Sequence, residues 1–341
     1  MASISERQLG FLKRTDYRSG VYVDLLFSDG SGVVRSDWSD AFLTVGSIDG
    51  YLEPRSSARD PESRSRMALS RRALGNIHLL EGRLFPVNTV APVRYAFPKR
   101  HKSMLPAFRE FNHFAAFHTE RLPVPLPVGM LFSDTRDRIQ HNVVLTEYHG
   151  TDTLWSVIGV YGVLFERIFK TDEFVVAHAR RQSAGINAAL LRDHYYSFWT
   201  EDMLQLSDPD AKVMEDLRDF HQAYHASIAD EIAAERALEK LFKRLKRTFR
   251  VTDEERRTIL ANAACTWRAF SDAGYILEDI ASRQFVVKPD LETLLVDFES
   301  VKHVQRRLTR AEREAQFELF MKRSGPIPSE DALYLKKEYV A

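Results

Sequence analysis

Cysteine is nearly absent: the 341 residues hold one, Cys265. A single thiol excludes an intramolecular disulfide framework and a cysteine-built zinc cage, and it suits a reducing compartment. Net charge is absent as well, because 48 Lys and Arg cancel 48 Asp and Glu. No overall field draws the chain to nucleic acid or to an anionic membrane, so no nucleic-acid partner is expected. Long apolar runs are missing, and none reaches the roughly 18 residues of a membrane span. Residues 1–14 lack the apolar stretch of a secretory signal, which leads to the expectation of a cytoplasmic protein. With 15 Gly and 13 Pro, the composition is not that of a mostly disordered chain. What remains is 44% hydrophobic and 11% aromatic, enough to bury a sizeable core.

The pattern changes along the chain. Residues 21–27 (VYVDLLF) read as a strand, Asp29-Gly30-Ser31-Gly32 as a turn, and Val33-Val34 as the start of a second strand. Residues 54–72 carry six Arg and five Ser and read as a solvated linker or, alternatively, as a patch for phosphate-bearing ligands. Strand patterns recur at 77–80, 93–97 and 142–146. Between the last two, residues 105–117 read as a helix with Phe108, Phe111, Phe114 and Ala115 near one face. Three prolines within 122–128 force that stretch to be extended. From 155 to 273 the chain reads as helical. Val213, Leu217, Phe220, Tyr224, Ile228 and Ile232 recur at helical spacing, and Leu238, Leu241, Phe242 and Leu245 continue the stripe. That pattern fits one long helix or a helix pair. Thr252-Asp253-Glu254-Glu255 opens another helix, expected to end before Gly274. The order, β-rich, then extended, then mostly α, predicts an α+β protein of two lobes with a cleft between them.

The densest chemistry falls in 274–300. Asp279 sits in a loop after a helix, and Gln284 follows. Residues 285–287 and 294–296 read as a short hairpin, and Asp297 stands at its end. Such a hairpin would bring Gln284 and Asp297 to one rim, with Asp279 facing them. Phosphoryl transfer needs a set of this kind. One carboxylate orients the acceptor hydroxyl and takes its proton, while a carboxylate and an amide carbonyl supply hard oxygens to Mg²⁺.

The stretch resembles the catalytic and metal loops of the protein-kinase-like superfamily, D-x4-N, a hairpin, then D-F-G. Here it reads Asp279-x4-Gln284, then Asp297-Phe298-Glu299. The resemblance implies Asp279 as catalytic base, Gln284 and Asp297 as metal ligands, and ATP with Mg²⁺ as cofactors. Residues 145–154 (LTEYHGTDTL) are similar to the hinge of small-molecule kinases, which makes Glu147 and Tyr148 candidates for adenine contact. Arg109-Glu110-Phe111 followed by 122–127 (LPVPLP) resembles the C-helix and following segment of lipopolysaccharide core sugar kinases (Kdo or heptose). Glu110 would then pair with a phosphate-gripping cation, either Arg94 or Lys99. Arg94 is slightly preferred for its mid-strand position and bidentate phosphate binding. Gly75 and Gly82 are weak candidates for a phosphate-covering turn.

The departures are specific. Leu277-Glu278 replaces the usual His-Arg, Gln284 replaces Asn, and Glu299 replaces the Gly of D-F-G. The implied architecture is a bilobal protein-kinase-like fold. Residues 1–70 form a β-rich N-terminal extension with the Arg/Ser linker, 71–148 the small lobe, and 149–341 a large helical lobe with an insertion at about 160–250. The implied function is ATP- and Mg-dependent phosphorylation of a sugar hydroxyl. Its acceptor would be a small molecule or a glycolipid, and a glycolipid would bring peripheral membrane contact. An aminoglycoside- or choline-type kinase and a catalytically dead binding module are the alternatives. The basic tract at 243–247 and Arg306-Arg307 are candidate contacts for an anionic acceptor.

Overall fold

The structure, a computed structural model, describes residues 21–39, 48, 96–101, 103–133, 142–147, 149–150, 152–201 and 211–341. The chain is mixed α+β, with a small antiparallel sheet in its N-terminal part and helices dominating the rest. It divides into two compact units. One holds the described residues up to Leu164 together with Val251–Ala341, and the other holds Phe165–Arg250. Sheet and C-terminal helices share one core and fall together, whereas the helices expected at about 160–250 form the second unit.

The first unit is built on a five-stranded sheet. Its strands are β1 (Tyr22–Phe27), β2 (Gly30–Arg35), β3 (Ala96–His101), β4 (Pro127–Ser133) and β5 (Asn142–Glu147), in the order β1-β2-β4-β5-β3. All pairs are antiparallel. Residues 22–35 thus belong to the same sheet as the later strands. Gly30, Ser31 and Gly32, expected in the turn, lie within β2 instead. A Cβ at Gly30 would lie 2.1 Å from the Phe132 carbonyl oxygen, so the glycine serves close approach of β2 to β4.

Both sheet faces are covered. Val33, Met130, Phe132 and Val144 join the core under helix α1 (Met104–Thr119), which buries Phe108, Phe111, Phe114 and Phe117. Leu25, Phe27, Val34, Leu131, Val143 and Leu145 pack on the other side around Trp38. Two-sided burial explains why β5 reads as a continuous apolar run rather than an alternating one. Phe117, left out of the expected apolar face, is fully buried, while Ala115 is only half-buried.

After Val251, helix α5 (Asp253–Asp272) opens with a capping box in which Thr252 accepts from Glu255 N and the Glu255 side chain accepts from Thr252 N. It closes at Gly274, whose φ of +86° is the left-handed conformation glycine adopts without strain. Short strands follow: β6 (Tyr275–Leu277), β7 (Phe285–Val287), β8 (Thr293–Leu295) and β9 (Val301–His303). β7 pairs with β8 as the predicted hairpin, and β6 pairs with β9. Helices α6 (Arg310–Arg323) and α7 (Ser329–Val340) complete the unit. Trp267 of α5 stacks on Tyr339 of α7 with ring centroids 3.8 Å apart.

The second unit contains α2 (Phe165–Phe169), α3 (Asp172–Glu201) and α4 (Ala211–Thr248). The stripe at 213–245 lies on one continuous helix, α4. Leu238, Phe242 and Leu245 are buried, whereas Ile232 is 44% exposed. Phe165 and Phe174 each pack their ring on Phe242 within this unit. The chain leaves the first unit after Leu164 and re-enters at Val251, whose N–H donates to the Gly162 carbonyl at 2.8 Å. Among the described residues, no helix is long and apolar enough to cross a membrane.

Candidate functional site

β3 presents Lys99 and His101 two residues apart, so the pleat points both to the same face. Both meet Glu110, which α1 carries on its buried side. Lys99 Nζ lies 2.9 Å from Glu110 Oε1, and His101 Nε2 lies 2.6 Å from Glu110 Oε2. The same ammonium reaches Asp297 Oδ1 at 2.5 Å and Glu299 Oε1 at 3.1 Å. Phe298 N donates to Glu110 Oε1 at 3.3 Å.

Electrostatics follow from this crowding. Burial alone would lower the Lys99 pKa, but Glu110 and Asp297 outweigh it and hold the ammonium well above the ordinary lysine range. Burial alone would raise Glu110, but the close His101 imidazole and the Lys99 charge hold it below the usual glutamate range. Lys99 is therefore a fixed cation and Glu110 a fixed anion at neutral pH.

The hairpin places the second half of the site. Val296 N donates to the Gln284 carbonyl at 2.9 Å, closing the rim of β7 and β8. Gln284 is buried, its Oε1 accepts from Ala281 N at 2.7 Å, and its Nε2 donates to the Asp297 carbonyl at 3.3 Å. Asp297 has φ +72°, a left-handed conformation that aspartate tolerates better than most side chains. Phe298 turns inward onto Phe114 and Phe117, with centroids 5.0 and 4.8 Å away, and His113 Nδ1 lies 2.8 Å from its carbonyl. Asp279 is half-exposed in the loop after β6. Arg323 Nη1, from the end of α6, lies 2.5 Å from Asp279 Oδ1 and also donates to the Glu278 carbonyl. Asp279, Gln284 and Asp297 line one small hollow.

The structure thus gathers Lys99, Glu110, Asp297, Gln284 and Asp279 in the first unit. Of the two candidate cations, Lys99 meets Glu110, and Arg94 lies outside the described residues with Tyr148, Gly75 and Gly82. Lys99 meets the carboxylate because it shares a strand face with His101 and its flexible stem reaches the helix. Glu147 ends β5 with its N–H donated to the Leu126 carbonyl at 2.8 Å and its carboxylate 3.7 Å from His149 Nε2. That N–H is already used. Arg306 is engaged by Glu312 at 2.7 Å, and Arg244 of the basic tract by Glu173.

Three participants escaped the sequence reading. His101 was findable, being two residues beyond Lys99 in a strand. Glu299 reads in sequence only as a departure from D-F-G, although its carboxylate lies 3.1 Å from the Lys99 ammonium. Arg323 lies 44 residues from Asp279 and carries no local signal.

Magnesium usually takes one or two carboxylates and completes its shell with phosphate and water oxygens. Asp297 and Glu299, with side chains 36% and 51% exposed beside Lys99, fit that role. The Gln284 amide, hydrogen-bonded at both ends, does not offer its oxygen without rotating. Comparison with protein-family models, with curated proteins and with solved structures returned no match for this chain.

Proposed function

We propose that the chain is an ATP- and Mg-dependent phosphotransferase of the bilobal protein-kinase-like type, acting on a sugar hydroxyl in the manner of lipopolysaccharide core kinases. The observation that carries this reading is the convergence of Lys99 on both Glu110 and Asp297, a strand cation bridging a helix carboxylate and the aspartate after a hairpin. Lys99, held by Glu110, grips the nucleotide phosphates. Asp297, with Glu299 beside it, would hold Mg²⁺. Asp279 orients the acceptor hydroxyl and takes its proton as the oxygen bonds to the γ-phosphorus. The bond from that phosphorus to the bridging oxygen breaks, and ADP departs. Bound Mg·ATP supplies the phosphoryl group and the charge that offsets the growing negative charge.

The test pairs binding with turnover. Asp279→Ala is expected to lower turnover about 10²–10⁴-fold, with the Mg·ATP thermal shift retained. Lys99→Met is expected to abolish that shift. Phosphate incorporation into lipid A–core fractions, set against a panel of soluble alcohols, identifies the acceptor class. Absence of both stabilisation by millimolar Mg·ATP and phosphate transfer overturns the reading.

A second reading, a nucleotide-binding module without catalysis, is favoured by one observation. Gln284, Asp297 and Asp279 are each already engaged, by backbone, Lys99 and Arg323 respectively. A thermal shift with Mg·ATP and no turnover on any acceptor selects it.

A further inference from the structure

Helix α4 carries His221 and His225 four residues apart, on one exposed face of the second unit. Their Nε2 atoms lie 3.0 Å from each other, with ring centroids 4.2 Å apart. Two nitrogen donors at that separation, each about 2.0–2.1 Å from a common ion, subtend roughly 90° at it. That is the angle between adjacent ligands in a square-planar or octahedral shell. Histidines at i and i+4 of a helix are a recognised zinc-binding spacing, because one turn brings their rings onto one face. The Tyr224 ring packs against His225 with centroids 5.7 Å apart, which limits where that imidazole can swing.

We propose that His221 and His225 form a chelate site for a borderline transition-metal ion, Cu²⁺ in preference to Zn²⁺, separate from the phosphotransfer site. Imidazole suits both ions, and Cu²⁺ binds nitrogen donors more tightly than Zn²⁺ does. Without metal, one imidazole donates its Nε2 proton to the other. Metal binding requires both Nε2 lone pairs, so a neutral donor ring shifts to its Nδ1–H tautomer, and an imidazolium donor releases its Nε2 proton to solvent while keeping Nδ1–H. Both Nδ1 positions then carry hydrogen. Two side chains fill two coordination positions, and the others take water or an outside anion such as phosphate or carboxylate. The rigid helix sets the spacing in advance, so little ordering is needed on binding.

Isothermal titration of the full-length chain with CuCl₂ and with ZnCl₂ tests this. The expected result is a site that His221→Asn and His225→Asn each weaken at least tenfold, with Cu²⁺ favoured over Zn²⁺. Electron paramagnetic resonance of the Cu²⁺ complex is expected to show nitrogen coupling that both variants reduce. Far-ultraviolet circular dichroism checks that the helix persists, and His225→Gln replaces any variant that loses helicity. Unchanged stoichiometry, affinity and nitrogen coupling in helical variants would overturn the site. Neither outcome bears on Mg·ATP binding at Lys99.

Discussion

Lys99 and Asp297 stand 198 residues apart in the chain and 2.5 Å apart in space. The contact joins the sheet to the hairpin, and the buried Glu110 beside it fixes the ammonium from the helix side. A buried carboxylate survives only when paired and hydrogen-bonded. Glu110 has Lys99, His101 and the Phe298 N–H around it.

Glu110→Ala is therefore expected to destabilise the chain by about 3 kcal/mol, because Lys99 and His101 lose their common anion and a buried gap is left. Chemical denaturation followed by circular dichroism measures it. A change below about 1 kcal/mol, the scale of an exposed pair, would show that Glu110 is not the anchor described.

Gln284→Asn shortens the side chain that ties Ala281 N to the Asp297 carbonyl. Losing two hydrogen bonds in a buried setting is expected to cost about 1–3 kcal/mol. Denaturation measures the loss, and a variant as stable as the parent would mean that the amide is not a staple.

Arg323→Gln removes the cation that clamps Asp279 from α6. Under the phosphotransfer reading, kcat is expected to fall about tenfold with the KM for ATP unchanged, roughly 1.4 kcal/mol in the barrier. A rise in the KM for ATP with kcat preserved would place Arg323 in nucleotide binding instead.

The pH dependence of stability carries a sign. Burial, first among the causes, holds His149 below the ordinary value of 6.5. The unfolded chain then binds more protons as pH falls past 6.5, so stability rises with pH through that window and is lost below it. Glu110, held below 4.5, contributes stability that is lost as pH falls through its folded value. Lys99, held above 10.5, contributes stability that is full below 10.5 and lost only as pH climbs through its folded value. Melting temperature against pH checks both limbs, and a melting temperature that does not rise between about pH 5 and 7 contradicts the histidine part.

The legible parts of the sequence were those governed by local rules. Thr252 with Glu255 announced a capped helix, Gly274 its end, and the hairpin after Gln284 followed from two short apolar runs around Lys288-Pro289-Asp290. Asp279, Gln284 and Asp297 were named from the same stretch because they lie within it. Lys99 was harder, since alternation along β3 marks a face without saying what the face meets. Gly30 was misread because a glycine that permits strand approach looks, in sequence, like a glycine that makes a turn. Arg323 was out of reach, because its role depends on how α6 packs, and tertiary packing has no short-range period.

The hydrogen bond from Val251 to Gly162 has an architectural consequence. A segment whose two ends are anchored side by side adds length to a chain at a cost that grows only logarithmically. Lengthening or shortening the segment between those two anchors is then expected to cost the first unit little loop-closure entropy.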